Sequence, residues 1–134
     1  MTTSVAAEPA ASDRIRWIRI VLLAIALEAA LFVTLVPLIS RLSFTPLMIA
    51  IGGGCALFGY ISGRIAAIGL TPSRAVLHGA LVGILATIIY LAVNLLQPGG
   101  LGAAVTFYGA PLFVGLNALR IVGCMAGAFQ KSRS

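Results

Sequence analysis

Residues Ile18–Ile39 read IRIVLLAIALEAALFVTLVPLI, an apolar run of about 22 residues with one acid, Glu28, near its middle. About 20 such residues at 1.5 Å each cover a hydrocarbon core roughly 30 Å thick, so the run predicts a transmembrane helix. Glu28 then lies on the order of 15 Å inside the membrane, where a carboxylate is costly unless it is paired, protonated or beside water. The run is too long for a signal-peptide core, contains Glu28 and lacks a small-x-small exit, which argues against cleavage.

Outward from this run the composition agrees. The 134 residues are 60% hydrophobic and 9% charged, with mean hydropathy +1.11, far from soluble globular usage. A net charge of +6 would suggest nucleic acid in a soluble protein. Here the basic residues sit at helix ends, where they read as topology signals facing anionic lipid, so no nucleic-acid partner is expected. Residues 1–13 are small, polar and unpatterned, as in a disordered tail. Arg14, Arg16 and Arg19 around Trp17 form an interfacial anchor.

Breakers divide the remainder. The first helix is expected over about 16–40, the second over 46–69 from Pro46, the third over 73–96 behind a Thr71-Pro72 cap, and the fourth over 111–129 from Pro111. Gln97-Pro98-Gly99-Gly100 ends the third; Leu101–Gly109 is a loop or a short interfacial piece, and 131–134 is a basic tail. Arg14, Arg16, Arg19, Arg74, Lys131 and Arg133 share one side, with Arg41 opposite, so the positive-inside rule puts both termini in the cytoplasm of a bacterial inner membrane. The expected fold is all-α: a four-helix antiparallel membrane bundle, N-in and C-in.

Helix faces say how the spans meet. Gly59/Gly63, Gly79/Gly83 and Gly123/Gly127 are GxxxG pairs that permit close backbone approach, all in the cytoplasmic half, so tight packing is expected there and looser packing outside. Polar and small residues form seams of alternating three and four spacing: Gly83, Thr87, Tyr90, Asn94 and Gln97 in the third helix, and Asn117, Arg120, Cys124, Gly127 and Lys131 in the fourth. Trp17, Val21, Ala24, Glu28, Leu31 and Leu35 do likewise in the first. Arg120 lies at the same estimated depth as Glu28, and an unpaired charge there is costly, so the two are expected to pair, with Asn117 one turn away and Thr87 nearby. The expected role is fixing helix register; a proton relay or transport site is the sharper alternative.

Other residues say less. Arg64 can snorkel to the interface, and His78 reads as a satisfied interfacial polar residue. Cys55 and Cys124 differ in estimated depth by on the order of 13 Å, too far for a disulfide. The Gly52-Gly53-Gly54 run either admits another backbone or loosens its helix. One histidine cannot bind a transmembrane haem through two axial ligands, no Cys/His cluster could hold zinc, and no phosphate loop is present, so neither enzyme chemistry nor a cofactor is expected.

The acid in IALEAALF resembles the glutamate of the small multidrug resistance transporters, which binds protons and cationic drugs; that likeness implies a transport role for Glu28. The rest departs from that family, because Arg120 opposes cation binding and the middle helices lack its aromatic clusters. Arg16-Trp17, Leu77-His78-Gly79, Leu81-Val82-Gly83 and a glycine-spaced last helix ending in basic residues are similar to uncharacterised small four-helix bacterial membrane proteins. That wider likeness implies a structural or accessory role, with other membrane subunits or further copies of the chain as partners. The half holding Phe44, Phe107, Tyr108 and Phe113 is where a partner or lipid is expected to bind.

Overall fold

Four long apolar stretches become four long helices because each backbone polar group inside a hydrocarbon layer must be paired within its own segment. The computed structural model describes residues 15–134. Its elements are α1 (Trp17–Ile39), α2 (Phe44–Ala66), α3 (Pro72–Leu95), α4 (Gly100–Tyr108) and α5 (Ala110–Arg133). All but α4 are long and apolar enough to cross a membrane. The tail over 1–13 and the anchor residue Arg14 lie outside the described residues.

The boundaries follow local chemistry. Helix α2 starts at Phe44, two residues ahead of Pro46, since a proline is tolerated anywhere in a first turn whose N–H groups have no intrahelical acceptor. It ends at Ala66, short of the expected Gly69, which takes the left-handed φ of +73° that turns the chain into α3. Thr71 has the extended backbone of an N-cap and Pro72 opens α3, but the Thr71 hydroxyl makes no capping hydrogen bond. The uncharged 101–109 segment is largely helical: α4 runs between Gly99 and Gly109, whose φ values of +85° and +78° set its entry and exit turns. The expected basic tail is also helical, with α5 continuing to Arg133. No glycine or proline interrupts Gln130–Arg133; Arg133 stacks on Phe129 at 4.2 Å, and basic side chains favour a helix C-terminus.

Helix α5 lies against both α2 and α3, while α1 packs on the other side of the same two helices. No Cα of α1 comes within 8 Å of a Cα of α5. A Cβ at Gly123 would meet the Ala56 carbonyl and one at Gly127 the Tyr60 carbonyl, so α2 and α5 run in the same direction. Gly79 meets Cys124 and Ala128 while Gly83 meets Ile121, so α3 and α5 run in opposite directions. One end of the molecule, the tail end, carries the start of α1, the α2–α3 turn and the end of α5. The other, the loop end, carries the α1–α2 turn, where Phe44 packs edge-on to Phe107 of α4 at 6.2 Å.

The buried stripe of α1 is Ile20, Ala24, Leu27 and Leu31. Trp17 and Val21, expected on the inner seam, are exposed instead, because α1 faces the groove between α2 and α3 and its inner face is centred on Leu27.

Candidate functional site: a charge pair beneath a laterally open cavity

The tail end is closed by backbone contact. At Gly59 a Cβ would stand 2.9 Å from the Arg120 carbonyl, at Gly79 2.6 Å from that of Cys124, and at Gly83 2.6 Å from the Ile121 Cα. Gly63 and Gly127 are tighter still, against the Cys124 and Tyr60 carbonyls, and Gly123 would approach Ala56 O at 3.0 Å. Real Cβ atoms do not sit at the separations of the first five, so those positions accept no larger residue without moving a backbone, while Gly123 is a tight fit. The glycine triplet differs. Gly53 faces open space, Gly52 meets the Leu116 tip at 3.7 Å and Gly54 the Leu31 tip at 3.3 Å, so side chains and not a backbone pack there.

The same pairing sets Cys124 against Gly59 and Gly63, one and two turns beyond Cys55 on α2, so the cysteines lie at different levels. Both thiols are buried and free.

His78 is fully buried at this end. Its Nδ1 lies 2.8 Å from the Arg74 carbonyl, and its Nε2 accepts the Arg16 backbone N–H at 3.1 Å. With Nε2 the acceptor, Nδ1 carries the proton and donates to Arg74, and both ring nitrogens are engaged. The Ile68 carbonyl just past α2 accepts from Arg16 Nη1 at 3.4 Å and from Arg19 Nη1 at 2.8 Å. Arg64 is exposed and reaches Tyr60, its Nη1 donating to the hydroxyl at 3.4 Å.

Midway along the spans the packing changes. Arg120 on α5 and Glu28 on α1 meet with Nε and Oε1 3.0 Å apart, their side chains 6% and 15% exposed. The N–H is not aimed along that line and neither atom makes a hydrogen bond among the described residues, so charge attraction holds the pair across the gap between two helices whose backbones do not touch. Arg120 is positioned from its own helix: Nη1 donates to Asn117 Oδ1 at 2.9 Å, and Asn117 Nδ2 donates to the Phe113 carbonyl at 2.7 Å. The guanidinium also lies 4.7 Å from the centre of the Tyr90 ring on α3, a cation–π contact strengthened where water is scarce. Thr87 does not join this group; its hydroxyl is buried without a partner among the described residues.

Towards the loop end the helices separate around a cavity of about 730 Å³. Glu28, Arg120, Asn117 and Tyr90 lie in its wall, with Cys55 behind them and Asn94, Gln97 and Tyr108 nearer the loops. Its rim includes Phe32, Val33 and Val36 of α1 and Val93 of α3, which are also exposed on the apolar exterior, so it opens sideways between the spans. Tyr90 and Tyr108 both pack on Phe113, with ring centres 6.2 and 6.3 Å away. Tyr108 belongs to α4, outside the long spans, and its burial pushes the hydroxyl above the usual tyrosine range, keeping it a proton donor.

The cavity and the part played by Tyr90 are absent from the sequence reading. The signal for Tyr90 was its place on the Gly83–Gln97 seam at the level of Arg120. Comparison with protein-family models, with curated proteins and with solved structures finds no match for this chain.

Proposed function

We propose that this chain is a non-catalytic integral protein of a bacterial cytoplasmic membrane, an antiparallel four-span bundle with both termini cytoplasmic, that works by holding another molecule. Its role is that of an accessory subunit in a larger membrane assembly or of a homo-oligomeric scaffold, with the glycine-spaced GxxxG faces as its internal joint. The observation that carries this reading is the sideways-open cavity above a half locked by backbone contact. A rigid base with an open upper half is suited to receiving an apolar guest without rearranging. The commitment of both His78 ring nitrogens to backbone groups speaks against acid–base catalysis, since no free imidazole is left to move a proton.

Native mass spectrometry of the protein, gently extracted from its own membrane, tests the proposal. Larger subunits at fixed stoichiometry support the accessory role and a defined homo-oligomer the scaffold; a bare monomer with neither partner nor guest counts against both.

A second reading, a proton- or cation-coupled transporter, is favoured by one observation: Glu28 keeps 15% of its side-chain exposure and lines the cavity. Arg120 opposes a cation there. In this reading tetraphenylphosphonium binds in a pH-dependent manner and Glu28→Gln abolishes binding while the fold survives; no binding to the native protein ends it.

A further inference from the structure

The cavity has the properties of a site for one chemical class. We propose that it binds a lipid-soluble quinone, an uncharged planar ring with two opposed oxygens on a hydrocarbon tail. This rests on the reading that the loop end receives a guest, and it names the guest.

Access comes first. The rim residues Phe32, Val33, Val36 and Val93 belong to the apolar exterior of α1 and α3, so a ligand arrives from hydrocarbon. Size comes next: about 730 Å³ falls within the usual range for small-molecule sites, which are mostly apolar with a few placed polar groups.

Depth then discriminates among membrane-soluble molecules. Glu28 stands 11 residues from either end of α1, roughly 16 Å along the axis, so the polar floor lies near the middle of the span. A phospholipid keeps its head group at the interface and would bring only the end of an acyl chain to this floor, leaving its polar groups unpaired. The ligand must therefore carry its polar atoms into hydrocarbon, which requires them to be uncharged.

Charge narrows the choice further. A fatty-acid carboxylate would set a second negative charge beside Glu28, and an organic cation would meet Arg120; a neutral ligand leaves the pair intact. The floor offers both halves of a hydrogen-bonding match. A guanidinium has five N–H donors, of which one is given to Asn117 while the Nε–H is not aimed at Glu28, so donors remain for a ring oxygen. Glu28 Oε1 is buried and accepts no hydrogen bond among the described residues, which suits the hydroxyl of the reduced ring. Phe32, Tyr90, Tyr108 and Phe113 supply aromatic surface for a flat ring, and the side opening gives the tail a path back to lipid. No electron transfer is implied, only binding.

The test uses the full chain purified in detergent and decylubiquinone as the probe, with bound quinone read by absorbance after gel filtration. Saturable binding near one per chain is expected. Val33→Trp plugs the mouth from a position that is 72% exposed and so leaves the core untouched; it is expected to weaken binding about tenfold or more. Val93→Trp on the opposite rim serves if the first variant does not elute as native protein. Absence of saturable binding, or equal binding by either plugged variant that elutes as native, overturns the proposal. A phospholipid retained at fixed stoichiometry and not displaced by the quinone overturns it while leaving the loop end as a guest site. No guest and no co-purifying partner would remove the underlying reading as well.

Discussion

The two ends of this small molecule are built by opposite means. At the tail end three helices approach until backbone meets backbone at six glycines, and no side chain separates them. At the loop end side chains hold the helices apart, and α1 meets α5 at the Glu28–Arg120 pair without any Cα approach within 8 Å. In lipid, where apolar surface gives little reason for helices to associate, close approach is what stabilises a bundle, so the first half can be rigid and the second can leave space.

The largest effect should come from breaking the glycine joint. Gly127→Leu or Gly63→Leu places a branched side chain against a carbonyl that already occupies its Cβ position, and overpacking of this kind costs more than the usual 1–3 kcal/mol because backbone must move. Neither variant should yield folded protein after detergent extraction. Next is the charge pair. Glu28→Ala and Arg120→Ala each strand a buried charge and should cost about 3 kcal/mol in thermal or denaturant unfolding. The Glu28→Gln, Arg120→Gln double variant should recover part of that loss; if it is as unstable as the sum of the singles, the pair is not coupled.

His78→Ala should cost about 2 kcal/mol, because it leaves the Arg16 N–H and the Arg74 carbonyl without their partner. Faster amide hydrogen exchange at the start of α1, with the loop end unchanged, would separate this effect from global destabilisation. Smallest is Gly53→Ala, where nothing lies within 4 Å; a slight gain of roughly 0.5 kcal/mol is expected from the better helix former. A large loss at Gly53 would show that the glycine triplet is packed as tightly as the tail end and would erase the contrast.

How far the sequence could be read follows the same division. Four spans were legible because runs of about 20 apolar residues admit little else. Helix α4 was not, since nine residues holding Gly100 and Gly102 have neither the length nor the propensity to separate a helix from a loop. The meeting of Glu28 and Arg120 could be argued from depth because a solitary charge at mid-membrane is so unfavourable that few arrangements remain. The cysteines carry no such penalty, so depth alone does not name their neighbours. The cavity was illegible for a related reason: it arises where helices diverge, and divergence depends on which partners each helix lacks. His78, read as a satisfied polar residue near a helix end, does have both ring nitrogens engaged, and its four-residue stripe with Val82 and Ala86 pointed to its full burial.

The chain order of the tightest joint bears on how the protein is made. Helices α1, α2 and α3 leave the ribosome before α5, yet α5 fills the groove between α2 and α3 that the glycines line. Until α5 is made, that groove has no occupant and Glu28 has no arginine. Arg120 is costly to insert alone, and it arrives when its acid is already at depth. The chain order thus makes the acid before the arginine that neutralises it.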